Sequence, residues 1–262
     1  MSYDNLELDI ADGVACITLN RPKVGNAISP DLARELSDIA VRCDDNADVR
    51  AVVLTGSGKL FCAGGDLGAM ATAGDEVKSV IKIMAGDLHM ALSRFSRGNA
   101  PVIAAVNGTA GGAGMSLVMA ADLAICGGSA KFTMAYTNAG LSPDGSSTFF
   151  MPRKIGDRRT RELILTNRVL SAAEAEEWGI VNRVVADDEV LTESMALAKT
   201  LAQGPTLAYG ASKALLNESF EHGLEAQMEL ETRAIGQMVT TADGAEGIQA
   251  FLNKRKPSFT GR

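Results

Sequence analysis

Two glycine-rich turns carry the residues best suited to chemistry. One is Phe61-Cys-Ala-Gly-Gly-Asp-Leu67. The other is Val106-Asn-Gly-Thr-Ala-Gly-Gly-Ala-Gly114, which runs into the apolar stretch Met115 to Ala121. Glycine has no Cβ, so a ligand can come close to backbone N–H groups there. The second turn opens a helix, whose first N–H groups are free and whose dipole favours negative charge. Two such donors converging on one oxygen form an oxyanion hole, suited to an enolate or a tetrahedral adduct. The same pattern also fits two tight turns that serve only close backbone packing.

Other motifs fail. Gly112-Ala-Gly114 starts a dinucleotide fingerprint, but its third glycine position is Leu117. Gly56-Ser-Gly58-Lys59 lacks the first glycine and the Ser/Thr of a P-loop, and Gly145 to Phe149 lacks the last glycine of a nucleophile elbow. Only two histidines occur, His89 and His222, and the four cysteines Cys16, Cys43, Cys62 and Cys126 are far apart. Neither a zinc site nor a disulfide scaffold is expected, and the cysteines read as buried free thiols.

The elements around the turns read as α/β. Leu6 to Asn20 alternates about Asp12-Gly13, a hairpin. Ser29-Pro30 starts a helix, with Leu32, Leu36, Ile39 and Ala40 at helical spacing. Arg50 to Thr55, Pro101 to Val106, Leu123 to Cys126 and Val181 to Val185 read as buried strands separated by helices. Ser171-Ala-Ala-Glu174 is a capping box, and Gly179 closes that helix. Residues 1–190 form the strand-bearing core, and residues 191–262 hold only helices.

Composition excludes several classes. The chain has 262 residues, 46% hydrophobic and 22% charged, an ordinary globular balance. A net charge of −7 argues against nucleic acid as a partner. Polar residues break the longest apolar stretch, so no membrane span is expected. The N-terminal Met1-Ser-Tyr-Asp-Asn has no basic or apolar signal region, so the expected compartment is the cytoplasm.

The glycine turns, together with Leu19 to Ala27, Leu54 to Asp66, Ala121 to Ile125, Leu170 to Ala175, Gly179 to Asn182 and Phe251 to Arg262, resemble the enoyl-CoA hydratase/isomerase (crotonase) family in order along the chain. The resemblance implies a spiral of ββα units followed by a helical C-terminal region that builds a homotrimer or a dimer of trimers. It implies an acyl-CoA thioester substrate, with no cofactor beyond the coenzyme A that the substrate carries. It assigns the two oxyanion donors to Gly65 and Ala113. Ala63, Gly64, Asp66, Leu67 and Gly112 would line the substrate, and Arg21 and Lys23 would meet the coenzyme A phosphates. Arg21 and Lys23 also fit an ordinary solvated face. In the same family the segment Ala71 to Arg97, with Met84 and Met90, covers the acyl chain, and the tail Lys254 to Phe259 packs near the adenine.

The sequence departs from the family's hydratases at two places. Their two glutamates fall at Ser116 and Tyr136. Hydration needs one group to deprotonate water and another to deliver a proton to carbon, and neither residue is a good base. Asn138 to Thr148 is instead similar to a segment of the family's isomerases, including its ring-epoxide phenylacetyl-CoA isomerases. There the acid after the proline is the base, which is Asp144 here. Asp144 also fits an ordinary Pro-Asp-Gly turn. If its sequence neighbours Met134, Phe149 and Phe150 also line its pocket, desolvation would raise the Asp144 carboxyl toward a useful value; Tyr136 would orient the acyl group or sit in the core. The reading is an enoyl-CoA isomerase. The alternatives are a hydratase, a ring-epoxide isomerase or a binding protein without turnover.

Overall fold

A computed structural model describes residues 3–262. Leu6–Ala11 (β1) and Val14–Leu19 (β2) pair antiparallel across Asp12 and Gly13, whose φ angles are 53° and 79°. Two successive positive φ values match the twist of the strands they join. Pro30–Asp45 (α1) begins where the sequence signals it. Ser29 Oγ accepts the Leu32 N–H at 3.2 Å, and Pro30 takes the first helical position, where no N–H is needed.

Each expected strand is present: Ala51–Gly56 (β3), Val102–Val106 (β5), Leu123–Gly127 (β7) and Arg183–Val185 (β10). With the hairpin they form a sheet in the order β1-β2-β3-β5-β7-β10, parallel from β2 onward. Four short strands make a second sheet: Leu60–Cys62 (β4), Thr109–Gly111 (β6), Lys131–Thr133 (β8) and Leu170–Ser171 (β9). The chain thus alternates between the sheets and inserts helices. β3 and β4 lead to Leu67–Thr72 (α2) and Val77–Arg97 (α3). β5 and β6 lead to Ala113–Ala120 (α4). β7 and β8 lead to Ser147–Ile155 (α5) and Asp157–Thr166 (α6). This is the ββα spiral that the resemblance implies. Ala172–Trp178 (α7) carries the capping box between Ser171 and Glu174, and Gly179 ends it at φ 79°.

Strand alternation gives the large sheet two buried faces. Val52, Leu54, Ala104 and Val106 face the main core, which α1, α3 and α4 also line. Ala51, Val53, Ile103 and Ala105 face Val190, Ala198 and Ala202 of Val190–Ala202 (α8). The all-helical region therefore begins with a helix that shares a core with the strands.

Thr206–Glu218 (α9) is fixed by Lys213, whose side chain is only 9% exposed. Its Nζ donates to Phe95 O and Ala100 O, both at 2.9 Å, and pairs with Asp122 at 2.7 Å. Asp122 also accepts the Val102 N–H at 2.8 Å. Leu224–Met238 (α10) buries no residue, and Leu224 and Ile235 are 70% and 71% exposed. After Ala242–Leu252 (α11) the tail folds back, and Asp243 accepts the N–H groups of Thr260 and Gly261 at 2.6 and 2.7 Å. Among the described residues no helix is long and apolar enough to cross a membrane. The four cysteines are free, and Cys43, Cys62 and Cys126 are buried.

Removing one partner of a buried ion pair strands the other charge and leaves acceptors unpaired. Lys213→Met is expected to lower the stability by about 3 kcal/mol, read as a lower urea midpoint at an unchanged slope.

Candidate active site

The two glycine turns follow β4 and β6, which pair side by side. Their backbones press together. A Cβ on Gly114 would stand 2.3 Å from Cys62 O, and one on Gly111 would stand 2.9 Å from Ala63 O. Gly64 and Gly112 have φ angles of 122° and 48°, which other residues rarely adopt. Close packing is therefore a real demand on these turns.

The same packing leaves two donors unused. Ile28 N–H donates to Gly64 O at 2.8 Å, and Asp66 N–H donates to Ile28 O at 2.9 Å. This parallel bridge passes Gly65, whose own N–H has no acceptor among the described residues. Ala113 is the first residue of α4. Its N–H is also free among the described residues, whereas Gly112 N–H donates to Thr133 O at 3.0 Å.

Gly65 and Ala113 meet at one cavity of about 210 Å³, together with Tyr136 and Asp144. Ile81, Met84 and Leu88 of α3 form its apolar wall. Met90 lies outside it and is 47% exposed. The expectation that Met134, Phe149 and Phe150 line this pocket is corrected. Met134 is fully buried, and the two phenylalanines, turned away by the start of α5, line a separate cavity of about 640 Å³.

Asp144 is the one carboxylate on the wall of the smaller cavity. Tyr136 Oη donates to its Oδ1 at 2.6 Å, a short bond typical of an ionised acceptor. Burial first, then the charge of Asp144, pushes the Tyr136 phenol above its ordinary range. Tyr136 is thus held as a donor. The Asp144 carbonyl accepts Ser116 Oγ at 3.0 Å and Ser147 Oγ at 2.9 Å. Ser116 is fully buried, its Oγ 3.1 Å from Tyr136 Oη, and a Cβ on Gly145 would stand 2.8 Å from Ser116 Cβ. A side chain at position 145 would therefore collide with Ser116. Burial pushes the Cys62 thiol up to about 12, so it stays protonated beside the turn.

Residues 9–262 match the enoyl-CoA hydratase/isomerase family model. The chain belongs to that family. It is 40% identical to a "Probable enoyl-CoA hydratase" of Rhodobacter capsulatus over 100% of both chains. It is 36% identical to the 1,2-epoxyphenylacetyl-CoA isomerase of Escherichia coli over 97% of both. Among solved structures, the enoyl-CoA hydratase of Bacillus anthracis superposes with a TM-score of 0.92 at 33% identity, covering 99% of this chain and 100% of that one. An enoyl-CoA hydratase/isomerase acts on acyl-CoA thioesters, and an unused N–H pair beside a carboxylate suits that chemistry.

The other residues that the resemblance assigns in this family member divide into two groups. Gly64 and Gly112 each precede one of the two N–H donors and pack against one another. Ala63 and Leu67 are exposed on the first turn, Leu67 at 54%. Asp66 caps α2, accepting the Ala69 N–H at 3.0 Å, and pairs with Arg21 at 3.0 Å. Burial pushes the Asp66 carboxyl up, but these two partners outweigh it and hold it below its usual range. Arg21 also donates to Ala27 O, so it clasps the first turn. Lys23 is exposed and in no ion pair among the described residues. Ser116, Ser147 and His89 are structural partners of Asp144 that no motif announces.

Gly114→Ala drives a methyl into Cys62 O. The variant is expected to lose about 1–3 kcal/mol of stability. Calorimetric titration with an acyl-CoA should show weaker binding even where thermal unfolding shows it folded, because the two N–H groups part.

Proposed function

We propose that this family member is an acyl-CoA isomerase that converts 3-enoyl-CoA to 2-enoyl-CoA. The observation that carries this is the single carboxylate, Asp144, beside the free N–H groups of Gly65 and Ala113. The place of a second acid is taken by buried Ser116. The thioester oxygen accepts from Gly65 and Ala113. Asp144, through the oxygen not bonded to Tyr136, takes a proton from the carbon alpha to the carbonyl. Negative charge collects on the thioester oxygen, where the two donors and the start of α4 stabilise it. Protonated Asp144 returns the proton to the gamma carbon, and the double bond moves. Proton and electrons stay within substrate and Asp144, so the reaction needs no cofactor beyond the coenzyme A of the substrate. Lys23 offers a cation for its phosphates. Four free thiols suit a reducing, cytoplasmic setting.

A second reading is ring-epoxide isomerisation, favoured by the 36% identical isomerase of that type. Tyr136, a phenol held as donor, would then serve the epoxide oxygen. Hydration, the activity in the names of other relatives, needs a second proton-transfer group, which Ser116 does not provide.

The test is a 3-enoyl-CoA assay in heavy water on wild type and Asp144→Asn. The wild type is expected to form deuterated 2-enoyl-CoA, and the variant to lose on the order of 10²–10⁴-fold in rate. Equal rates would show that Asp144 is only a turn residue. Thioester binding without turnover or exchange would turn the choice to the ring-epoxide substrate.

We further propose that α9 and α10 assemble the chain as a homotrimer, or a dimer of trimers. The support is their row of exposed apolar residues: Leu216, Phe220, Leu224, Met228 and Ile235. Light scattering should report three or six times the monomer mass, and Ile235→Glu should lower it. A monomeric wild type would sink this assignment.

A further inference from the structure

The peptide between Asp144 and Gly145 is gripped from both ends. Its carbonyl accepts Ser116 Oγ of α4 and Ser147 Oγ of α5. Its N–H donates to His89 Nε2 of α3 at 3.2 Å. Gly145 is buried, with φ at 60°, and sits against Ser116, whereas His89 reaches it from an exposed position on α3. A histidine that accepts at Nε2 must be neutral and keep its proton on Nδ1. No other side chain accepts this N–H among the described residues.

We propose that His89 is a positioning residue for Asp144, an inference that rests on Asp144 being the acting carboxylate. It lies one residue after Leu88, which lines the smaller cavity, and it lines the larger one itself. α3 therefore supplies both the apolar wall over the acyl group and the acceptor that holds the turn of the base. Tyr136 sets one carboxylate oxygen, and His89 sets the backbone from which the carboxylate hangs. The charged and titratable groups around His89 are Asp144 on the turn, Arg97 on α3, Glu218 on α9, and Glu221 and His222 just after α9.

The experiment compares wild type, His89→Leu, His89→Gln, His222→Gln and Asp144→Asn. Each is checked by thermal unfolding, then assayed with 3-enoyl-CoA across pH and by hydrogen exchange of the peptide spanning residues 141–148. His89→Leu is expected to lose on the order of tenfold to a hundredfold in kcat with KM little changed, and to exchange faster. His89→Gln, which keeps an acceptor for the Gly145 N–H, should recover both. His222→Gln should match wild type. Wild-type kcat and exchange in His89→Leu would overturn the inference, as would a folded His89→Gln with no recovery. An active Asp144→Asn defeats the carboxylate reading itself. An inactive Asp144→Asn beside a fully active His89→Leu defeats only the role of His89. If wild type turns over no 3-enoyl-CoA, the exchange comparison alone decides: faster exchange in His89→Leu supports the pin, and equal exchange removes it.

Discussion

The contact of the two glycine turns, backbone on backbone, is the constraint on which the rest depends. A side chain at Gly111 or Gly114 would meet a carbonyl of the facing turn. Only because those side chains are missing do the ends of β4 and β6 lie close enough for Gly65 and Ala113 to share one cavity. The second sheet exists largely to make this contact. Its strands are two or three residues long and have little packing surface of their own. The large sheet and α1 supply the buried area that holds them in place.

Around that pair the protein spends little polarity. Most of the cavity wall is apolar, and its polar elements are the two amides, Tyr136, Asp144, Ser142 and Lys82. Preorganised donors act strongly in such surroundings because few waters compete with them. Ser116 and Gly145 press together, and the Ser116 hydroxyl holds the carbonyl of the Asp144 turn.

Much of this was legible in the residues. The Asp12-Gly13 turn, the Ser29 and Ser171 caps and the long parallel strands β3, β5 and β7 follow from local chemistry that tertiary structure did not override, and the Val181 to Val185 run marks the short β10. The glycine turns carried two readings, close packing and donor exposure, and the structure shows that one arrangement meets both needs. The short strands were not legible, since three residues hold no periodicity. Met134, Phe149 and Phe150 are near Asp144 in sequence, yet the start of α5 sends them elsewhere. Arg21 reads as a free surface cation, and its partner Asp66 is 45 residues away. His89 belongs to no motif, and only the fold brings it to Gly145.

The Lys213 anchor bears on how the chain is made. Its ammonium satisfies carbonyls 118 and 113 residues earlier in the sequence. During synthesis the loop between α3 and β5 leaves the ribosome long before the group that completes it. The spiral can gather early, but its last polar vacancies close only when α9 has emerged. A chain cut before that helix would carry buried acceptors without donors.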